Sequence, residues 1–350
     1  MKKRSKSTYL QIAELAKVSP ATVSRVATGN SKVDPALQQR IRKAAASLGC
    51  DLEKKRNDRA RTIAFVLANK DTLSPFHTQI LVGAEAYCST ENWELRFKSY
   101  RYSPDSPSRD LTLSQILGPS STVRGAILGG TNHPNMLEAL RERGIPFSVL
   151  GNNVTGDWDP DHYNTVFSDD VQGARDLTLH LIAGGHRDIW FIGDAQLPWY
   201  SRCVQGYRES MIDAGLQPRF SNIRSDEGQL GYLATRSIIS GGEPVSAVFA
   251  GTDQVAAGVY DALRQCGMRV PEDISVAGFN NTDSKLLHPA ATTVMEFPQE
   301  IGRHLAEFVL RRIKNPALKA QQMNIATQVV VRESTRPMAI AESRTRGKIA

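Results

Sequence analysis

From Ser19 to Thr28 the chain reads SPATVSRVAT, which puts four hydroxyls, a guanidinium and small apolar groups into one helix-length stretch. With no carboxylate, imidazole or thiol present, the chemistry on offer is recognition rather than bond-making. A guanidinium is a rigid fork of donors that fits a guanine edge, and small apolar groups fit a thymine methyl. Hydroxyls and ammonium groups suit phosphate oxygens, which fix position without reading sequence. Pro20, Ala21 and Arg25 are therefore the candidate base readers, with Ser19, Thr22, Ser24, Thr28 and Lys32 as candidate contacts to a nucleic-acid backbone. The alternative for Thr22 and Ser24 is a hydroxyl turned back on its own helix, and for Arg25 a surface ion pair.

Such a stretch needs elements to hold it. Ile12, Leu15 and Ala16 recur at helical spacing, and Ser19-Pro20 is a hydroxyl N-cap followed by proline at the first helical position. Val23, Val26 and Ala27 give the second helix an inner face, which Gly29 and Asn30 end. Asp34-Pro35 repeats the start signal for a third helix striped by Leu37, Ile41, Ala44, Ala45 and Leu48 and closed by Gly49. This is the pattern of a helix-turn-helix, whose second helix enters a major groove. Charge agrees: Met1 to Arg61 holds 15 Lys and Arg against 5 Asp and Glu, the remainder 28 against 31. Positive charge concentrated in one module favours a polyanion through counterion release.

IAELAKVSPATVSRVATGNSKVDPALQQRIRKAA resembles the DNA-binding headpiece of the lactose-repressor (LacI/GalR) family of bacterial transcription regulators. The resemblance implies a homodimer on a near-palindromic operator, adds Thr8 and Tyr9 to the backbone contacts, and implies a sensor domain for a small metabolite. The linker departs from the family, whose hinge helix carries Pro-Asn and a leucine that enters the minor groove. Here Cys50 to Arg59 reads CDLEKKRNDR, so Lys55, Arg56 and Arg59 are the candidates for a minor-groove contact made by charge, with a flexible charged linker as the alternative.

After Arg61, strand-like TIAFVLA, ELRFKSY, GAILGG, PFSVLG, TVFSD, DIWFIGD, AVFAGTD and ISVAGF alternate with helical stretches, the signature of parallel sheets covered on both faces. The expected fold is a small all-α helix-turn-helix headpiece (1–50), a linker (51–61) and an α/β periplasmic-binding-protein-like sensor of two doubly wound lobes (62–335). By resemblance, lobe 1 takes about 62–161 and 292–320, and lobe 2 about 162–291 and 321–335. The tail 336–350 is basic and without period, which predicts disorder; lacking leucine heptads, it points to a dimer.

Ligands in such sheets sit beyond the carboxyl ends of strands, where Asn69, Asn152, Asp194, Asp253 and Asn280 stand. Trp199, before a polar helix face, offers a ring to a sugar or nucleoside, or packs under a loop. Phe76, Arg202 and Glu296 complete the expected effector set with Asn69, Asn152, Trp199, Asp253 and Asn280. Two departures bear on it. The family's Gly-Phe-Asp-Asp is Gly-Phe followed by Asn280 and Asn281, and Cys203 takes the place of an arginine, with Arg202 one step earlier and about 100° away around a helix.

The expected function is a sequence-specific regulator, a repressor, whose operator affinity is set by a sugar-like metabolite. The alternatives are a DNA-binding protein with a ligand-blind dimerisation body, and an α/β enzyme with a basic anchor. Against the latter, the chain holds no G-x-G-x-x-G, G-x-x-x-x-G-K, H-E-x-x-H or G-x-S-x-G, and His180, His186 and His304 have no ligand-spaced partners. No metal or cofactor is expected. Four scattered cysteines and the lack of a signal or membrane-length apolar run predict a cytoplasmic protein.

Overall fold

Asp34 accepts the amide of Leu37 at 3.1 Å, and Pro35 takes the first helical position, where a missing N–H costs nothing. The helix so started, α3 (Pro35–Ser47), joins α1 (Lys3–Leu15) and α2 (Pro20–Ala27) in the headpiece. The computed structural model describes residues 3–27, 33–50, 52, 61–113 and 123–336, with side chains from residue 9 onward.

Ile12, Ala16, Val23, Val26, Ile41 and Ala45 form the headpiece core, and the chain continues past α3 to lay Cys50 and Leu52 against it. Leu15, expected on the inner face, is instead 57% exposed. At about 100° per residue, Tyr9, Ile12, Ala13 and Ala16 centre the buried face roughly 110° from Leu15. Leu48 likewise points outward, because it is the C-cap of α3 and no longer helical. The turn from α1 to α2 passes through Lys17 at a left-handed φ of 48°, and the Val18 amide closes it on the Ala13 carbonyl at 2.9 Å.

The chain divides into two compact units, residues 1–70, 84–149 and 306–319 in one, and 71–83, 150–305 and 320–350 in the other. In the first, the continuously apolar β1 (Thr62–Ala68) is wholly buried and runs parallel between β2 (Glu94–Tyr100) and β3 (Val123–Gly130), which pairs with β4 (Phe147–Leu150). Not every strand is covered on both faces, contrary to the sequence expectation. β2 is an edge with most of its residues exposed, which its alternating charges, Glu94, Arg96 and Lys98, allow.

In the second unit the parallel order is β7 (Arg219–Phe220), β6 (Ile189–Ile192), β8 (Ala247–Ala250), β9 (Ser275–Ala277). The helices α6 (Asp170–Ala183), α7 (Pro198–Asp213), α8 (Glu227–Ser240) and α9 (Asp253–Gln265) alternate with these strands, as short buried parallel strands require. Its core is aromatic: Phe191 meets Phe249 at 5.1 Å between ring centroids and Tyr207 at 5.7 Å. Two smaller pairings belong to the same unit. β5 (Thr165–Ser168) runs parallel with β11 (Gln322–Ile325), and β10 (Thr293–Met295) antiparallel with β12 (Gln328–Val330). Gly206 brings α7 close to α6, since a Cβ there would lie 2.1 Å from the Val171 carbonyl oxygen.

Candidate nucleic-acid interface and effector site

On α2, Val23, Val26 and Ala27 are buried, which turns Pro20, Ala21 and Arg25 outward, the last two one helical turn apart on one face. Ser19 caps the helix: its hydroxyl oxygen accepts the Thr22 amide at 3.1 Å and lies 2.8 Å from the Thr22 hydroxyl. Both expected phosphate contacts are thus also local capping groups, Ser19 exposed and Thr22 half-buried. Ser24 and Tyr9 are half-buried. The Thr8 side chain and Thr28, Lys32, Lys55, Arg56 and Arg59 lie outside the described residues, as do the linker 53–60 and the tail 337–350.

The effector candidates separate into two groups. Asn152, Arg202 and Glu296 come together, around two residues that the strand-end reasoning passed over, Ser168 and Asp170. Ser168 ends β5 and Asp170 opens α6, whose N-terminal amides favour a carboxylate. Asn152 bridges the two elements, taking the Ser168 amide at 2.9 Å and donating to the Ser168 carbonyl at 2.9 Å and to Asp170 Oδ2 at 2.5 Å. The Ser168 hydroxyl touches Asp170 Oδ1 and lies 2.8 Å from Glu296 Oε1, just beyond the end of β10. Arg202 Nε stands 3.7 Å from Asp170 Oδ2, and its guanidinium lies 5.9 Å from the Phe167 ring centroid. The one-residue offset around α7 is bridged by the length of the arginine and by the close approach at Gly206.

Both carboxyls are almost fully buried, and burial raises each. The Arg202 and Asn152 donors pull Asp170 back down, whereas Asp170 itself pushes Glu296 further up. The Cys203 thiol, beside them, is driven well up by burial and stays neutral. Beside Asn152, a further polar chain runs from Ser74 through His77 to Asn153, with spacings of 2.8 and 3.3 Å, and Phe76 meets the His77 ring edge-on at 5.6 Å.

The other candidates are engaged elsewhere. Asn69 accepts the Tyr102 amide at 2.9 Å and donates to the Thr131 carbonyl at 3.3 Å, so its amide ties loops of the first unit. Asp253 is saturated by Thr293 and by the amides of Thr282, Asp283 and Ser284. Trp199 packs against the second unit's core beside Tyr200. Asn280 sits at φ 94° with its amide bonded to Val294, and Asn281 is bound by Arg332 at 2.6 Å. Asp194 caps its own loop at the Gln196 amide.

Residues 8–50 match the family described as bacterial regulatory proteins, lacI family, and residues 178–335 the periplasmic binding protein-like domain. The chain thus joins a lacI-family headpiece to a periplasmic binding protein-like domain, and its relatives are LacI-family regulators. Among relatives of this family, it is 28% identical to the HTH-type transcriptional regulator CelR of Thermobifida fusca, covering 95% of this chain and 100% of that one. It is 26% identical to the HTH-type transcriptional repressor CytR of Escherichia coli (strain K12), with 96% and 98% covered. The structure of a CelR-cellobiose complex superposes with a TM-score of 0.69, covering 93% of this chain and 99% of that one. The LacI-type headpiece and the periplasmic-binding-protein-like α/β body expected from the sequence are thus both present. No described helix is long and apolar enough to cross a membrane.

Proposed function

We propose that this chain is a cytoplasmic, ligand-responsive transcriptional repressor that binds a near-palindromic operator as a homodimer. One α2 covers only a half-site, so two-fold symmetry doubles the contacts. Arg25 reads a guanine edge, Pro20 and Ala21 meet thymine methyls, and Ser19, Thr22 and Ser24 hold phosphates. Thr8, Tyr9, Thr28 and Lys32 add backbone contacts, and Lys55, Arg56 and Arg59 approach the minor groove by charge. The effector, a sugar or sugar derivative as in the cellobiose-bound relative, is held by Asn152, Ser168, Asp170, Arg202 and Glu296. Phe76, Asn69, Trp199, Asp253 and Asn280 belong to the wider site outside this cluster, and no residue has a catalytic role.

The observation that carries the proposal is the outward face of α2: two small apolar groups and one guanidinium on a helix whose other side is the headpiece core. Selection of bound duplexes from a random pool tests it. A palindromic motif is expected. Binding without a motif, fading only as salt rises, would reduce the headpiece to an electrostatic anchor.

A further inference from the structure

Ser168 has one hydroxyl proton, yet its oxygen is within hydrogen-bonding distance of two carboxyl groups, Asp170 and Glu296. It donates to one, and the other approaches a hydroxyl oxygen only by bringing a proton of its own. The remaining donors decide which. Both Asn152 amide protons are used, on the Ser168 carbonyl and on Asp170, and Arg202 also faces Asp170. Among the described residues, Glu296 meets no such donor: its partners are the Ser168 hydroxyl and the Asp170 carboxyl itself, and a hydrogen bond between two carboxyls also needs a proton on one of them. The proton therefore resides on Glu296, and the wire runs from the Glu296 acid through the Ser168 hydroxyl to the Asp170 carboxylate. Cys203, the other titratable neighbour, is a neutral thiol.

The charge count follows. Arg202 balances Asp170 and Glu296 is neutral; among the described residues, Arg202 is the cation paired with these carboxyls. An arriving phosphate or carboxylate would meet a carboxylate and a carboxylic acid in a site from which water is largely excluded, where like charges repel strongly. Hydroxyl or ammonium donors would find the second lone pair on each Asp170 oxygen and the second oxygen of Glu296.

Resting on the effector reading above, the geometry points to a ligand class: the cluster takes an uncharged polyhydroxy or amino-polyhydroxy molecule and refuses phosphorylated and carboxylated ones. Relatives of one fold can differ on this point, because it depends on the side chains at 168, 170, 202 and 296 and not on the backbone.

The test uses the full chain and matched probes: ribose, glucose, cellobiose and adenosine, each beside a phosphorylated counterpart, with glucosamine and gluconate as the amino and acid counterparts of glucose. Thermal melting is read for each, since a ligand of the folded state raises apparent stability. Any neutral or amino compound that raises Tm should do so with at least about tenfold tighter affinity than its anionic counterpart. A phosphorylated or acid probe that binds better than its parent overturns the ligand class and leaves the effector reading standing. No shift from any probe, with operator binding intact, overturns both the class and the effector reading while sparing the DNA-binding one. A ligand-free measurement examines the proton count directly. Gln is isosteric with a protonated Glu, so Glu296→Gln should melt within a few degrees of wild type at pH 8. Asp170→Asn, which removes the ionised member, should melt well below both. The reverse order would place the charge on Glu296 and remove the basis for the class.

Discussion

Asp253 and Thr293 are joined by a 2.7 Å hydrogen bond from hydroxyl to carboxylate, while the other Asp253 oxygen gathers the amides of Thr282, Asp283 and Ser284 at 2.7, 3.3 and 3.3 Å. The loop after β9 thus hangs from the first residue of α9. Burial pushes the Asp253 carboxyl up to about 6, against the pull of these donors. Because the folded pKa lies above the unfolded one near 4, the folded state binds the proton more tightly. The stability contributed by this group therefore falls as pH rises from about 4 to about 6, by about 2 to 3 kcal/mol, and is level above. Asp253→Asn should remove that slope. Urea midpoints at several pH values for both proteins check it; parallel profiles would show that another group titrates there.

Arg25→Ala should weaken binding to the cognate site by about 1 to 3 kcal/mol and relax preference at one position of each half-site. Competition binding on single-substitution duplexes reads this. An unchanged preference would assign Arg25 to the phosphates.

Asn152→Ala should cost roughly 2 to 4 kcal/mol, because it strips buried groups of Ser168 and Asp170 of their partners at once. Chemical denaturation measures it. A change under about 0.5 kcal/mol would mean that water takes over the bridge.

Lys17→Gly should stabilise the headpiece by up to about 1 kcal/mol, since glycine occupies the left-handed φ of 48° without a Cβ penalty. Hydrogen exchange at the α1 and α2 amides of the full chain reports it. Faster exchange in the variant would show that the lysine side chain contributes more than its backbone strain costs.

The headpiece was the most legible part of the sequence, because capping pairs such as Ser19-Pro20 and Asp34-Pro35 act within a few residues and carry their own geometry. Leu15 was misread because spacing alone does not say which of two neighbouring faces turns inward. The strand-end rule found Asn152, and applied to TVFSDD it reaches Ser168 and Asp170 equally well. What it cannot see is saturation. Asp253 and Asn69 stand at strand ends, yet both already hold partners that lie 29 to 62 residues away in sequence. Arg202 shows the converse: an angular step along a helix looks prohibitive until the reach of a long side chain and a glycine-permitted helix contact are known.

Leu52 packs on the headpiece core, and Thr62 starts β1. That burial fixes the count of residues between the headpiece core and the first strand. Ten peptide steps separate Leu52 from Thr62, and a fully stretched chain of that length spans at most about 35 Å. Counted from the end of α3 at Ser47, the contour would be longer by half as much again. In a dimer, contour length alone therefore caps the half-site spacing that both headpieces can reach at once, and with it the avidity of the second. A leucine buried in the headpiece core thus shortens the span left to the chain before β1.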